Sequence, residues 1–148
     1  MHLGAPSTDK VRNVVLVGHG GAGKTSLAEA MLYLSGATKR LGTVDDGHSG
    51  LDYEPEEIRR NFSINLSLAP VVHDGVKINV IDTPGYADFV GDAVAGMEAA
   101  EMALFVVDAV AGPQVQTERL WKIAGRWASH ERCSSTGWTR NTRTSTQS

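Results

Sequence analysis

The sequence has one cysteine, few aromatic residues and no long apolar run. Cys133 has no second cysteine for an internal disulfide, and the start Met1–Lys10 does not resemble a secretory signal. The longest apolar runs, Val14–Val17 and Met102–Val107, are far shorter than the roughly 20 residues that a membrane helix needs. We therefore expect a cytoplasmic protein with no membrane partner.

An excess of positive charge is also lacking. Fourteen Lys and Arg residues stand against 17 Asp and Glu, which gives a formal net charge of −3. No overall field therefore draws the chain to DNA, and any RNA contact must be local. The five histidines show no spacing typical of a zinc site. At 148 residues, 41% hydrophobic and 21% charged, the composition is typical of one compact globular domain.

What remains is an alternation of strand and helix patterns. Arg12–Val17 and Met102–Val107 predict buried strands. Ile64–Val72 and Val76–Ile81 flank an Asp-Gly dipeptide, which predicts an antiparallel hairpin. Three predicted helices have apolar faces made of Leu27, Ala28, Met31, Leu32 and Leu34, then Val90, Ala93, Val94 and Met97, then Leu120, Ile123, Ala124 and Trp127. This order predicts an α/β fold with a mainly parallel sheet and one antiparallel strand.

Turn residues set the expected boundaries. The first helix begins near Lys24 and stops at Gly36, and Pro113 is expected in the first turn of the last helix. From Gly36 to about Asn61 no periodicity remains, which predicts a long polar loop.

A phosphate-binding pattern lies between the first strand and the first helix. The segment Gly18-His19-Gly20-Gly21-Ala22-Gly23-Lys24-Thr25 fits G-x-x-x-x-G-K-[ST] in the context that this motif requires. Its glycines allow backbone N–H groups to surround a phosphate, and Lys24 adds a positive charge. The hydroxyl of Thr25 is expected to hold Mg²⁺.

A second motif follows the hairpin. Asp82-Thr83-Pro84-Gly85 places a carboxylate at a strand end, from which Asp82 can reach the metal through water. Gly85 can bring its N–H close to a terminal phosphate because it has no side chain. We therefore assign Asp82 through Tyr86 to the nucleotide site, with Gly85 and Tyr86 as the candidate catalytic residues.

Several segments in the right order carry a family resemblance. Besides the phosphate loop they are Met31–Gly36, Asp82–Phe89 and Gly112–Thr117. From about Val11 to Ala124 the chain resembles the amino-terminal part of the GTP-binding domain of translational GTPases, and is most similar to elongation factor G and elongation-factor-G-like proteins. The resemblance implies a Ras-like P-loop fold, GTP or GDP with Mg²⁺ as ligands, and the ribosome as partner of a full-length relative.

The same resemblance implies further roles and shows departures. Gly36–Ser63 corresponds to the first switch loop, where the family has Arg-Gly-Ile-Thr with the threonine on the metal, and Ser63 keeps that hydroxyl. A solvated serine at a strand start is the alternative. Tyr86 stands where the family has His, and a phenol is a poor proton acceptor at neutral pH, so slow intrinsic hydrolysis is expected. In the phosphate loop, Gly21 stands where translation factors usually have Asp.

The family's guanine-reading Asn-Lys-x-Asp is missing, since the only asparagine after Asn79 is Asn141. Ten of the last twenty residues are Ser or Thr. Back-translation of this tail in a reading frame shifted by one base allows Asn-Arg-Met-Asp. We therefore hypothesise that the reading frame changes near Gly125. An ordinary disordered terminus is the alternative. The expected organisation is a polar tail at 1–10, a partial GTP-binding domain at 11–126, truncated before the base-recognition motif, and a tail at 127–148.

Two functional classes stay open at this point. The first is a GTPase acting in ribosomal translation. The second is a nucleotide-binding module with little hydrolysis, or an inactive gene fragment.

Overall fold

The computed structural model describes residues 7–39 and 65–128, with the last two as backbone alone. Within these ranges the strands are β1 Val11–Val17, β2 Ser67–His73, β3 Val76–Asp82 and β4 Met102–Phe105. They form one sheet in the order β2-β3-β1-β4. The α-helices of the described ranges are α1 Lys24–Leu34, α2 Val90–Ala99 and α3 Val115–Ala128. Ser63, most of the predicted polar loop and the serine- and threonine-rich tail lie outside the described residues.

Strand pairing confirms the predicted α/β fold. Strand β1 runs parallel to both β3 and β4, whereas β2 and β3 are antiparallel. The hairpin turn has Asp74 at φ 48° and Gly75 at φ 75°. Two successive positive φ angles give a turn whose twist matches that of the flanking strands. The Asp-Gly signal in the sequence therefore predicted both the turn and the strand direction.

The central strand β1 separates two apolar layers because its side chains alternate between the faces of the sheet. Leu16 packs with Ala28 and Leu32 of α1. On the opposite face, Val15 and Val17 pack with α2 and α3. The residues buried on that second face are Val15, Val17, Ile81, Ala93, Met97, Leu120 and Ala124. Strand β1 is therefore packed on both faces, as expected for a central parallel strand. The prediction that Met102–Val107 is a buried strand was wrong in part, because in the described ranges β4 is an edge strand that leaves Met102 and Leu104 exposed.

One predicted burial and some predicted element boundaries differ in the structure. Leu34, expected on the buried face of α1, is 83% exposed because the helix ends there. Strand β4 ends at Phe105, since the chain turns at Asp108, whose carboxylate accepts 2.7 Å hydrogen bonds from the N–H groups of Val110 and Ala111. Pro113 lies two residues before α3 rather than in its first turn.

Other boundary predictions are confirmed. Helix α1 begins at Lys24, and Gly36 follows its end with φ 74° and an N–H bonded to the carbonyl of Tyr33. A left-handed glycine just past a helix end is a common stop signal. No helix in the described ranges is long and apolar enough to cross a membrane.

Candidate functional site

Two loops meet at the carboxyl edge of the sheet. The parallel pairing of β1 and β3 places Leu16 opposite Asp82, so the loop after each strand leaves from the same edge. The buried hydroxyl of Thr83 donates a 2.6 Å hydrogen bond to the carbonyl of Leu16. In doubly wound α/β sheets this edge is where ligands bind. The fold therefore brings together the two motifs that the sequence singled out.

The segment from Gly18 to Thr25, a loop that runs into the start of α1, has the backbone that a phosphate cradle needs. Gly21 and Gly23 have φ angles of 78° and 90°, which strongly favour glycine. A Cβ built on either one meets no atom within 4 Å, so this part of the loop faces open space. The N–H of Ala22 bonds to the carbonyl of His19 at 3.3 Å and closes the turn.

Helix α1 starts from this loop with its positive end uncompensated by side chains. Gly23 is its N-cap, no side chain caps the first turn, and no acidic residue lies there. Unpaired N–H groups at a helix start, together with the helix dipole, favour an anion. The cradle and the helix start therefore suit a phosphate group.

Gly18 is required for a different reason, namely a close backbone approach. A Cβ at Gly18 would run into the carbonyl oxygen of Val106, just after β4. The N–H of Val106 in turn donates a 2.8 Å hydrogen bond to the carbonyl of Val17. The glycine therefore lets the loop leave β1 directly against β4.

Lys24 supplies a buried positive charge within the cradle. Its side chain is 5% exposed, and its Nζ donates hydrogen bonds to the carbonyls of His19 at 2.9 Å and Gly18 at 3.3 Å. Burial lowers the pKa of Lys24 below its ordinary value, and the negative charge of Asp82 opposes part of that shift. A nearby anion would stabilise the charged form of a lysine that is so little exposed to solvent.

Thr25 and Asp82 bring two oxygen donors together. The Thr25 Oγ1 donates to Asp82 Oδ2 at 2.6 Å, although the two residues lie 57 positions apart. Asp82 is 1% exposed. A hydroxyl and a carboxylate are the kind of oxygen ligands that Mg²⁺ prefers. The donor set therefore fits Mg²⁺, and a metal would replace the direct bond between the two side chains.

The remaining predicted residues line the same edge. Pro84 and Gly85 are buried, and Tyr86 is 44% exposed. Gly85 packs so closely on the phosphate loop that a Cβ on it would lie 2.5 Å from both the Gly20 nitrogen and Lys24 Nζ. Apart from Ser63, which lies outside the described residues, every site residue predicted from sequence lies in one of the two loops at this edge or at the adjoining end of α1 or β3.

Two contacts at the site had no signal in the sequence. One is the Thr83 bond to Leu16, and the other is the approach of the Tyr86 ring to Gly20. Each joins residues that are distant in the sequence, so no local pattern encodes it. From sequence, Gly20 was expected only to give the loop backbone freedom, like the other glycines of the loop.

A phosphate cradle between β1 and α1, with a buried lysine and a Thr–Asp oxygen pair, defines a P-loop nucleotide-binding domain. The sequence comparisons identify the family more narrowly. Residues 9–131 match the family described as the elongation factor Tu GTP-binding domain. The chain therefore belongs to the elongation-factor family of GTP-binding domains, which supports the resemblance to translational GTPases of the elongation factor G type.

Individual relatives agree with this family. An elongation factor G-like protein of Mycobacterium tuberculosis is 48% identical over 112 residues, which cover 76% of this chain and 16% of the relative. A mitochondrial ribosome-releasing factor 2 of Scheffersomyces stipitis is 42% identical over 116 residues, or 78% of this chain and 14% of the relative. The chain thus spans only about a sixth of these relatives.

A solved structure shows the same fold. The chain superposes on the crystal structure of a protein from Thermus thermophilus with a TM-score of 0.76 and 45% identity, over 79% of this chain and 18% of that one. A bacterial selenocysteine-specific elongation factor, EF-Sec, gives a TM-score of 0.62 at 26% identity over 78% of this chain and 18% of that one. The predicted Ras-like, P-loop fold is confirmed.

Proposed function

We propose that this chain forms the nucleotide-binding part of an elongation-factor-G-like translation factor, which binds GTP with Mg²⁺ and hydrolyses it on the ribosome. The observation that carries the proposal is the convergence of Lys24, Thr25 and Asp82 beside an open glycine cradle. The family match supports guanine nucleotide as the ligand. The names of the relatives support translation as the process.

Each part of the site has a role in this proposal. The glycine amides from Gly18 to Gly23 and the start of α1 hold the phosphates. Lys24 neutralises charge on them, and burial strengthens that interaction because water is excluded. Gly85 and Tyr86 lie where the outer end of the phosphate chain would approach the loop. His19 and Ala22 shape the turn through their backbone bond.

Thr25 and Asp82 would hold Mg²⁺, Asp82 through water, and Ser63 stays a predicted third ligand. Bound there, the metal would neutralise charge on the phosphate oxygens. Thr83 and Pro84 contribute by placing Asp82 and Gly85, since Thr83 is bonded to β1 and both residues are buried.

The test is thermal unfolding of the 148-residue chain with GTP, GDP, ATP or no nucleotide, each with Mg²⁺. Ligand that binds only the folded state adds about 2.7 kcal/mol at a hundredfold excess over its Kd. We expect GTP, GDP and ATP each to raise the melting temperature, because the phosphate loop and the metal ligands do not contact the base and the family's Asn-Lys-x-Asp is missing from this chain. No effect of any nucleotide would contradict the proposal.

A module that binds nucleotide with little hydrolysis is the second candidate, favoured by Tyr86 at the position of the family's His. Phosphate release measured with and without ribosomes separates the two candidates. Stimulation by ribosomes supports the translation factor, whereas binding with no release under either condition supports the module.

We propose the cytoplasm as the compartment of this chain, although some relatives are named as mitochondrial.

A further inference from the structure

Gly20 differs from the other glycines of the phosphate loop. Gly18, Gly21 and Gly23 have positive φ angles, whereas Gly20 does not. Its backbone conformation is therefore open to other residues. A Cβ built on Gly20 would instead lie 2.9 Å from Tyr86 Cζ and 3.0 Å from Cε2. Carbon atoms in ordinary contact lie about 3.5–4.0 Å apart. A side chain at Gly20 would thus displace the tyrosine ring.

The residue before the tyrosine also closes on this part of the loop. A Cβ on Gly85 would lie 2.5 Å from the Gly20 nitrogen and 2.5 Å from Lys24 Nζ. An oxygen that accepts hydrogen bonds from both nitrogens lies about 2.8 Å from each. Gly85 already packs against both nitrogens on the side that faces the second loop, so an oxygen that enters on that side must displace it. We therefore expect a terminal phosphate that reaches both nitrogens to compete with Gly85.

The inner part of the cradle shows no such competition. Cβ atoms on Gly21 and Gly23 would meet nothing within 4 Å. The second loop therefore does not pack against this part of the phosphate loop. We expect a phosphate bound near Gly21 and Gly23 to leave the second loop in place, and one that reaches Lys24 and Gly20 to move it.

We infer that Tyr86, seated on Gly20, is a specificity residue that favours nucleoside diphosphate over triphosphate, by holding Gly85 in the place of the terminal phosphate. This inference rests on the proposed function. The ring contributes because moving the loop breaks its contact with Gly20. A closed loop in most molecules lowers the apparent affinity for a ligand that needs it open.

The test compares the affinities of GDP and a non-hydrolysable GTP analogue, both with Mg²⁺, by titration calorimetry. Tyr86→Ala removes the ring, and Gly20→Ala pushes against its mobile end. Each variant should improve binding of the analogue relative to GDP by about fivefold. The double variant should improve it little further, since both changes remove one contact.

Tyr33→Ala is the matched control. Tyr33 is 47% exposed and lies near the end of α1, at the opposite end of the helix from the phosphate loop. The ratio of the two affinities should stay that of the parent chain. An unchanged ratio in Tyr86→Ala, with both nucleotides still bound, overturns the inference and leaves the proposed function standing. Failure of the parent chain to bind either nucleotide overturns the function itself.

A spectroscopic measurement reports the ring directly. The chain has three tyrosines, Tyr33, Tyr53 and Tyr86, so 3-fluorotyrosine labelling gives three ¹⁹F signals that Tyr→Phe variants assign. We expect the Tyr86 signal to shift with the GTP analogue and to stay in place with GDP. A Tyr86 signal that responds equally to both nucleotides contradicts the inference.

Discussion

The hydroxyl of Thr83 donates a 2.6 Å hydrogen bond to the carbonyl of Leu16, and both residues are 1% exposed or less. This bond ties the start of the second loop to the strand that precedes the phosphate loop. Because Asp82 and Gly85 flank Thr83 and Pro84 in the chain, the bond fixes where both of them stand relative to Lys24 and Thr25.

Replacing Thr83 with Val keeps the shape of the side chain and removes the donor. We expect the free energy of unfolding to fall by about 1–2 kcal/mol, since a buried hydrogen bond is lost. Urea unfolding of the nucleotide-free chain measures the change. Thr8→Val, at an exposed threonine, should alter stability by less than about 0.5 kcal/mol. A Thr83→Val chain as stable as its parent would show that the bond contributes nothing.

Much of this architecture is readable from local sequence. The Asp-Gly turn, the glycine-rich loop and the helix starting at Lys24 depend on residues that are neighbours in the chain, and the structure confirms all three. The exposure of Leu34 was mispredicted because helical spacing alone does not show where a neighbouring element stops covering the helix.

The site also has features that the local sequence predicts and contacts that it does not predict. The phosphate loop and Asp82 follow from motif and strand order, and parallel pairing then places them at one edge. The Thr25–Asp82 and Thr83–Leu16 bonds join residues 57 and 67 positions apart. Such contacts depend on register and loop path, so they become visible only once the sheet is assembled.

Gly96 in α2 packs directly against the sheet. A Cβ there would lie 3.0 Å from Val15 Cγ2 and 3.1 Å from Thr83 Cγ2. Gly96→Ala should therefore lower the free energy of unfolding by about 1–3 kcal/mol through overpacking, despite the better helix propensity of alanine. Thermal or urea unfolding measures the effect.

Gly91 offers a control in the same helix, because a Cβ there meets nothing within 4 Å. Gly91→Ala should stabilise the chain by about 0.5 kcal/mol, since alanine restricts the unfolded chain and favours helix. The two substitutions should thus have opposite signs. Stabilisation by both would show that α2 can move away from the sheet at little cost.

The Thr25 hydroxyl is expected to matter mainly when Mg²⁺ is present. Thr25→Ala removes one of the two oxygen donors that lie 2.6 Å apart. Nucleotide affinity measured with Mg²⁺ should fall by about tenfold, whereas affinity in the presence of a chelator should change little. Thr25→Ser keeps the hydroxyl and should retain most of the Mg²⁺ dependence. Equal losses with and without Mg²⁺ would place the threonine on the phosphates instead.

Burial of Lys24 makes stability depend on pH in a defined direction. Its pKa is lowered in the folded state, chiefly by burial, so the unfolded chain keeps the proton to a higher pH. Between the folded pKa and the unfolded value of 10.5, unfolding takes up a proton. Lys24 therefore makes the free energy of unfolding increase as the pH rises through this interval.

Lys24→Met removes this contribution. The stability of the parent minus that of the variant should increase from neutral pH to about pH 10, measured by urea unfolding without nucleotide. Lys122→Met, at an exposed lysine of α3, controls for the loss of one positive charge. Nucleotide affinity should show the opposite pH dependence to stability. Phosphate favours the protonated ammonium of Lys24, so the affinity should fall as Lys24 loses its proton. A stability difference that decreases with pH would mean that Asp82, rather than burial, dominates the environment of this lysine.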